Sequence, residues 1–162
     1  MAMSVVETPP PPMDSDRAYL RLVVRRALAS DLRKNVSGPT VAWLADAFDA
    51  RSEELRQRLN VLFGPAAIDA LFAHAIRTAG AEHAWLAGAV QLTGRGLSTK
   101  GLRENATAPG AAAVEKAFVA ILATALESLV TFIGRDLVLP IVADTWGRQA
   151  IQTSAEAENV DE

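Results

Sequence analysis

The chain offers few side chains that could do chemistry, because its 162 residues include no cysteine and only two histidines. His74 falls away from the apolar face of a predicted amphipathic helix, and Arg77 follows it within one helical turn. We expect this histidine to face solvent or a groove, where an imidazole can bind or exchange a proton. A surface histidine with no chemical role is the ordinary alternative.

The second histidine does not complete a metal site. His83 lies nine positions after His74, which puts the two side chains on nearly opposite faces of a continuous helix. Common zinc sites place two ligands at i and i+4 on one face and add a third ligand, and this sequence supplies neither feature. We therefore predict no metal and no cofactor.

One short motif has a known counterpart. The string at 73–80, AHAIRTAG, is similar to the phosphorylated-histidine motif of histidine phosphotransfer domains. In that family a helical bundle presents an exposed histidine, followed by an aliphatic residue at +2 and a basic residue at +3. Ile76 and Arg77 match, and Thr78 stands where the family has glycine. The resemblance implies that His74 is the phosphoacceptor and that Arg77 helps to hold the phosphoryl group.

No catalytic constellation is visible elsewhere. Gly96 and Gly101 have the spacing of the two glycines in a phosphate-binding loop, but Leu102 stands where that loop requires lysine. No nucleophile elbow is present, and we predict that the chain is not an enzyme. Glu127, placed between apolar turns, must pair with an arginine or take up a proton if it is buried. An ion pair between helices is the simpler expectation.

An arginine stripe marks the first predicted helix. The net charge of −3 argues against a polyanion-binding protein, and no aromatic side chains accompany the arginines, so we expect no nucleic-acid partner. A solvated helix face is the ordinary interpretation, and binding to an acidic surface of another protein is the functional one. The candidate partner-binding residues are Arg17, Arg21, Arg25 and Arg33.

The strongest structural signal is the apolar stretch at 114–133, VEKAFVAILATALESLVTFI. Its apolar side chains occupy one broad arc of a helix, which is typical of a helix surrounded by others. Charges at Glu115, Lys116 and Glu127 interrupt the run, so we predict a buried helix, not a membrane span. The predicted arc comprises Val114, Phe118, Ile121, Leu122, Ala125, Leu129, Phe132 and Ile133.

We predict an all-α fold: a single-domain bundle of about five helices around this central apolar helix. Residues 1–13 are predicted as a disordered proline-rich tail, 14–147 as the helical domain, and 148–162 as a disordered acidic tail. Within the domain, 88–110 is predicted as a long flexible loop, with a short hairpin around Thr93 and Gly94 as an option. The pattern at 40–63 leaves open one helix or two.

Signals at the helix ends complete the prediction. Gly64 and Gly134 are expected to end helices, and Asp136 is expected to cap a last helix that tolerates Pro140 near its start. Three apolar side chains of that last helix are expected to pack back on the core: Leu137, Ile141 and Trp146.

The sequence favours a non-enzymatic interaction or regulatory module that acts as an adaptor through protein–protein contacts. The excess of arginine over lysine suggests a GC-rich bacterial genome. We expect a cytoplasmic protein that forms a homodimer and also binds a different protein. An acidic surface on that second protein is an option. Two alternatives stay open: a histidine phosphotransfer-like signalling protein that uses His74, and a bundle that binds a small apolar ligand.

Overall fold

The structure, a computed structural model, describes residues 12–29, 40–93, 96–104 and 110–151. Within these ranges the chain forms seven α-helices and one two-stranded antiparallel sheet. Five helices have 12 residues or more and two are short, so the predicted all-α bundle of about five helices is confirmed. The elements are α1 (Pro12–Ala29), α2 (Val41–Phe63), α3 (Pro65–Glu82), β1 (Gln91–Thr93), β2 (Gly96–Ser98), α4 (Lys100–Glu104), α5 (Ala111–Ile133), α6 (Arg135–Trp146) and α7 (Arg148–Ile151).

The central helix is α5, against which α1, α2, α3 and α6 all pack. Eleven of its 23 residues are buried, because its apolar arc is wide enough to be covered from several sides. The ring of Phe118 stacks on that of Phe48 in α2, with centroids 4.2 Å apart. The prediction of a central helix is confirmed. Phe132, however, was predicted in the apolar arc and is 79% exposed, although Leu129 and Ile133 in the same arc are buried or partly buried.

Length and hydropathy alone would allow α5 to cross a membrane. It is the one helix in the described ranges that meets this criterion, with a mean hydropathy of 1.8. In the bundle, 56% of that apolar window is buried against the protein itself. A core helix in a helical bundle has the same length and composition as a span, so this property does not distinguish the two.

Residues 41–63 form one helix, which resolves the ambiguity left by the sequence. The hydroxyl of Thr40 caps its start by accepting a hydrogen bond from the backbone N–H of Trp43 at 3.1 Å. Ser52, where the polar pattern resembles a new helix start, is buried, and its hydroxyl donates to the backbone carbonyl of Asp49 at 3.2 Å. Because that hydroxyl is satisfied inside the helix, it does not compete with the helical backbone.

The corner between α5 and α6 follows the predicted boundary but not the predicted cap. Gly134 ends α5 with φ of +90°, a backbone conformation that favours glycine. It also precedes the first residue of α6, so Asp136 lies within the first turn of that helix and is not its N-cap. A carboxylate there still stabilises the positive end of the helix dipole. Pro140 is the sixth of the twelve residues of α6, so it lies in the middle of the helix and not near its start as predicted.

The last long helix packs on the core through a different set of side chains from the one predicted, with Val138, Val142 and Trp146 buried. Trp146 is buried, and its indole N–H donates to the backbone carbonyl of Arg51 in α2 at 3.1 Å. Ile141 packs against the core as a partly buried residue. The prediction for Leu137 is wrong, since its side chain faces solvent in the first turn of α6.

The hairpin option within 88–110 is confirmed, and 11 of the 23 residues of that segment form strands or a short helix where a flexible loop was predicted. β1 and β2 form an antiparallel hairpin, and α4 follows directly. Gly101 lets α4 approach the preceding turn, because a Cβ there would lie 1.9 Å from the carbonyl oxygen of Gly88. The hydroxyl of Thr99 donates to the carboxylate of Asp49 at 2.9 Å, which ties the segment to α2. Residues 94–95 and 105–109 lie outside the described ranges.

The two predicted tails lose residues to helices. α1 begins at Pro12, a residue suited to the first turn of a helix because it has no N–H to leave unpaired. At the other end, 148–151 form α7, and the hydroxyl of Tyr19 donates to the backbone carbonyl of Ile151. The remaining predicted tail residues, 1–11 and 152–162, lie outside the described ranges.

Candidate functional site

Two helices flank one face of α5 and leave a trough between them. The first half of α3 lies beside the end of α5, and its second half lies beside the middle of α5, so the two helices run antiparallel. Arg17 near the start of α1 contacts Glu127 near the end of α5, so α1 is antiparallel to α5 as well. The trough therefore has a floor from α5 and one wall from α3, and α1 forms the opposite wall in one half.

One half of the trough is an apolar groove of about 560 Å³ at the end of the bundle where α5 and α2 stop. It lies between the start of α3 and the last turns of α5, with one side chain from α2. Its aromatic rims remain accessible, since Phe63 is 40% exposed and Phe132 is 79% exposed. The lining residues used below are Phe63, Ala67, Ala70, Leu71, Leu129 and Phe132.

The other half is a polar groove of about 270 Å³ between α1 and α3. Two arginines from α1 form one wall, and the opposite wall carries hydroxyl and carboxylate groups from α3 and α5. Small residues such as Ala120 and Ala123 form part of the floor, and their short side chains leave space between the longer side chains of the walls. The polar and charged lining residues are Arg17, Arg21, His74, Thr78, Glu82, Thr124, Glu127, Ser128 and Thr131.

The two grooves are adjacent. Three residues line both of them: His74 from α3, and Ser128 and Thr131 from α5. These residues form the junction of the trough. The trough thus changes from apolar to charged along the axis of α5, with the histidine at the point of change.

An ion pair crosses the polar groove close to the junction. Arg17 donates from Nη2 to Glu127 Oε1 at 3.1 Å and from Nε to Oε2 at 3.3 Å. The arginine side chain is 50% exposed and that of the glutamate 23% exposed, so the pair is partly screened by solvent. The expectation that Glu127 forms an ion pair between helices is confirmed.

The structure brings together some of the sequence-predicted residues and separates others. His74 is exposed, as expected, and shares the polar groove with Arg17 and Arg21. Arg77 and Arg25 are also exposed, but they line neither groove. The cations that share the polar groove with the histidine are therefore those of α1. Arg33 lies outside the described residues.

Sequence reasoning missed the apolar groove and the link between α1 and His74. The groove residues had the composition of core residues, and no pattern within one helix shows which other helix will leave them uncovered. The link joins two helices that are distant in sequence. Only the antiparallel packing of both helices on α5 places these residues side by side.

The large apolar side chains exposed in the described ranges all lie within three positions of Gly64 or Gly134, the corners that end α2 and α5. We call this set the apolar end. They flank the corners at Gly64 and Gly134, and two of them are the aromatic rims of the apolar groove. The set comprises Val61 (85% exposed), Leu62, Phe63, Phe132 and Leu137 (60% exposed).

The described residues contain no group of three histidine, aspartate or glutamate side chains placed to hold a metal ion. His83 instead contacts Trp85 edge to face, with ring centroids 6.5 Å apart.

No protein-family model, curated protein or solved structure matches this chain. The geometry and chemistry of the trough and the apolar end therefore carry the functional argument.

Proposed function

We propose that this protein is a non-enzymatic interaction module that binds another protein through its apolar end. The observation that supports the proposal is the exposure of Phe132, Phe63 and their aliphatic neighbours beside an open apolar groove. Single exposed apolar residues are common on protein surfaces, but clusters of them mark interaction sites. Aromatic side chains that can enter a partner's pocket often dominate binding energy.

Burial of these side chains by a partner would contribute favourable free energy to binding. Full burial of one large apolar side chain contributes about 1.5–3 kcal/mol. Phe132 is nearly as exposed in the folded chain as in the unfolded one, so it adds little to folding and most of this contribution is available for binding. Two aromatic rims on one groove suit a partner with a complementary apolar stripe.

The charges beside the groove define the partner further. Arg21 is exposed on the α1 wall of the trough, and Arg25 is exposed one helical turn further along α1, outside both grooves. An amphipathic helix could place its apolar stripe in the groove and an acidic flank against these arginines. We therefore propose a partner helix with an apolar face and acidic residues along one border.

The test begins with a photo-crosslinking amino acid in place of Phe132 in the native host. A matched probe at Lys116, which is exposed on α5 but lines neither groove, is the control. We expect one crosslinked protein from position 132 and none from 116. Mass spectrometry should map the crosslink to an apolar segment that carries acidic residues.

Binding of the purified partner then tests the surface quantitatively. Phe132→Ser should weaken binding at least tenfold, the scale of a buried aromatic anchor. Arg21→Ala should weaken it a few-fold, and Arg77→Ala, exposed but outside the trough, should leave it unchanged. Equal crosslinking from both positions, or no effect of Phe132→Ser, would contradict the proposal.

A second copy of the chain is the competing occupant, because a homodimer is also expected from the sequence. Sedimentation of the wild type and of Phe132→Ser distinguishes the two. A dimer that Phe132→Ser dissociates would assign the apolar end to self-association. A monomer that binds the crosslinked partner would assign it to the partner.

Phosphotransfer at His74 is a second candidate, supported by the exposure of this histidine in a groove with two arginines. Incubation with phosphoramidate provides the test: the P–N bond of the reagent breaks, ammonia leaves, and a new P–N bond forms on an imidazole nitrogen. We expect an acid-labile phosphate that His74→Gln abolishes and His83→Gln retains. Equal labelling of both variants would remove the candidate.

A further inference from the structure

We infer that the trough binds a single-chain anionic amphiphile, with its acyl chain in the apolar groove and its head at the junction. The inference does not rest on the proposed protein partner, although the two would compete because both occupy the apolar groove and contact Arg21. The inference rests on the order of chemistry along the trough: apolar walls, then the junction at His74, then two guanidinium groups. A fatty acid or a lysophospholipid has the same order along its length.

The apolar groove suits an acyl chain in size and composition. Its volume of about 560 Å³ falls in the range of small-molecule sites, about 300–1,000 Å³. Apart from the three junction residues, every side chain in its lining is apolar. A flexible chain can follow the space between Leu71 and Leu129 and leave through the open rim at Phe132. Each methylene group that becomes buried should raise affinity about fourfold.

The charges near the junction favour an anionic head. Arg17 and Arg21 stand on one wall, and Glu127 is the carboxylate closest to the junction, where Arg17 already binds it. Glu82 is two helical turns beyond His74 on α3, about 12 Å along the helix axis. Because Arg17 is already paired with Glu127, Arg21 is the guanidinium group of this wall that an anionic head would gain as a partner. The hydroxyl of Ser128 lies at the same junction and can donate a further hydrogen bond.

Simpler ligands fit only half of the trough. A purely apolar ligand would fill the groove but would make no use of the arginines. An inorganic anion would meet the arginines but would leave the apolar groove in contact with water. A ligand that carries both parts gains from both halves at once, which is why we commit to an amphiphile.

The experiment is isothermal titration of the full chain with dodecanoate, dodecan-1-ol and 1-dodecanoyl lysophosphatidylglycerol, all below their micellar concentrations. We expect saturable binding of both anionic amphiphiles at one site per chain. Dodecanoate should bind about fivefold more tightly than the alcohol, the scale of a partly exposed charge pair. The tighter of the two anionic ligands identifies a fatty acid or a phospholipid as the source of the chain.

Matched variants assign the two halves of the trough. Arg21→Gln should reduce the affinity for dodecanoate to that for the alcohol, while Arg25→Gln, one turn on and outside the trough, should change neither. Ala70→Trp should fill the groove and weaken all three ligands at least tenfold. Ala66→Trp is its control, since Ala66 is exposed on the same helix and lines neither groove. Circular dichroism of each variant verifies that the helices remain.

Three results would overturn the inference: no saturable binding of either anionic ligand, equal affinity for dodecanoate and dodecan-1-ol, or equal effects of Ala70→Trp and Ala66→Trp. Inorganic phosphate that binds as tightly as the lysophospholipid would overturn it too, because the acyl chain would then contribute nothing. None of these results bears on the crosslinking experiment, so failure of the ligand site is distinguishable from failure of the protein-binding proposal.

Discussion

The middle and the end of α2 differ in how their side chains are partnered. In the middle, polar groups are matched across several elements: Asp49 accepts from Thr99, and the backbone carbonyl of Arg51 accepts from Trp146. At the end, 61–63, apolar side chains face solvent beside an open groove. Both stretches belong to one continuous helix. The hairpin and α6 pack on the middle of α2, and no described element covers its end.

This difference separates residues that hold the fold from residues that are available for binding. A side chain that is already partnered contributes to the free energy of unfolding and has little left to offer a ligand. A side chain that remains exposed contributes little to folding but can be buried by a partner. Substitutions in the two regions should therefore affect different measurements.

The largest expected difference in the free energy of unfolding is between substitutions of two phenylalanines. Phe48→Ala should lower the free energy of unfolding by about 3–5 kcal/mol, because the fully buried ring stacks on Phe118 and would leave a cavity. Phe132→Ala should change it by less than about 0.5 kcal/mol, as expected for an exposed site. Urea denaturation monitored by circular dichroism measures both.

A large loss of stability in Phe132→Ala would break the contrast, because it would mean that the apolar end is part of the folding core. Phe63→Ala offers a second measurement at the same end. Its ring is less exposed than that of Phe132, so we expect an intermediate effect, closer to that of Phe132 than to that of Phe48.

The second contrast sets two glycines against each other. Gly101→Ala should destabilise the protein by about 1–3 kcal/mol, because its Cβ would overlap the carbonyl of Gly88 and push α4 away from the turn before β1. Gly80→Ala should instead stabilise it by about 0.5–1 kcal/mol, since that glycine lies within α3 and a Cβ there meets no atom within 4 Å. Thermal denaturation should show a lower melting temperature than the wild type for Gly101→Ala and a higher one for Gly80→Ala. Equal shifts would mean that Gly101 does not approach Gly88 closely.

The sequence was most informative where one helix determines its own pattern. The arc of α5 and the glycines that end α2 and α5 follow from periodicity and backbone preference, and the structure confirms them. Phe132 was misassigned for a different reason. Its position continues the apolar arc, but burial at a helix end depends on how far the neighbouring helices extend, which no local pattern records.

The segment at 88–110 was predicted as a loop because its composition is compatible with two different structures. Glycines and polar residues are typical of flexible loops, yet here Gly101 is required by close packing and Thr99 is buried with a carboxylate partner. The trough could not be predicted at all. Its chemistry depends on placing Arg21 of α1 near His74 of α3, and that placement is a property of the packing on α5.

The smallest expected effect is a pH dependence in the closed middle of α2. Arg56 donates to both carboxylate oxygens of Glu53, from Nη2 at 2.6 Å and from Nε at 2.8 Å. These hydrogen bonds lower the pKa of Glu53 below its usual value of about 4.5, against the opposing effect of burial, and Gln57 adds a weaker hydrogen bond in the same direction. The charged carboxylate is therefore favoured in the folded state.

A lowered pKa in the folded state fixes the sign of the effect. The stabilisation is complete above the pKa of the unfolded chain, near 4.5, and is lost as the pH falls through the lower pKa of the folded state. Because Glu53 is 38% exposed, solvent screening should limit its share to less than about 1 kcal/mol. Urea denaturation between neutral and acidic pH should show a smaller loss of the free energy of unfolding for Glu53→Gln than for the wild type.

Arg56→Gln should reduce this loss in the same way, since either variant removes the ion pair. If both variants lose stability in parallel with the wild type below this pH, the carboxylate is not held by Arg56 in solution, and the closed middle of α2 is less firmly partnered than its geometry indicates.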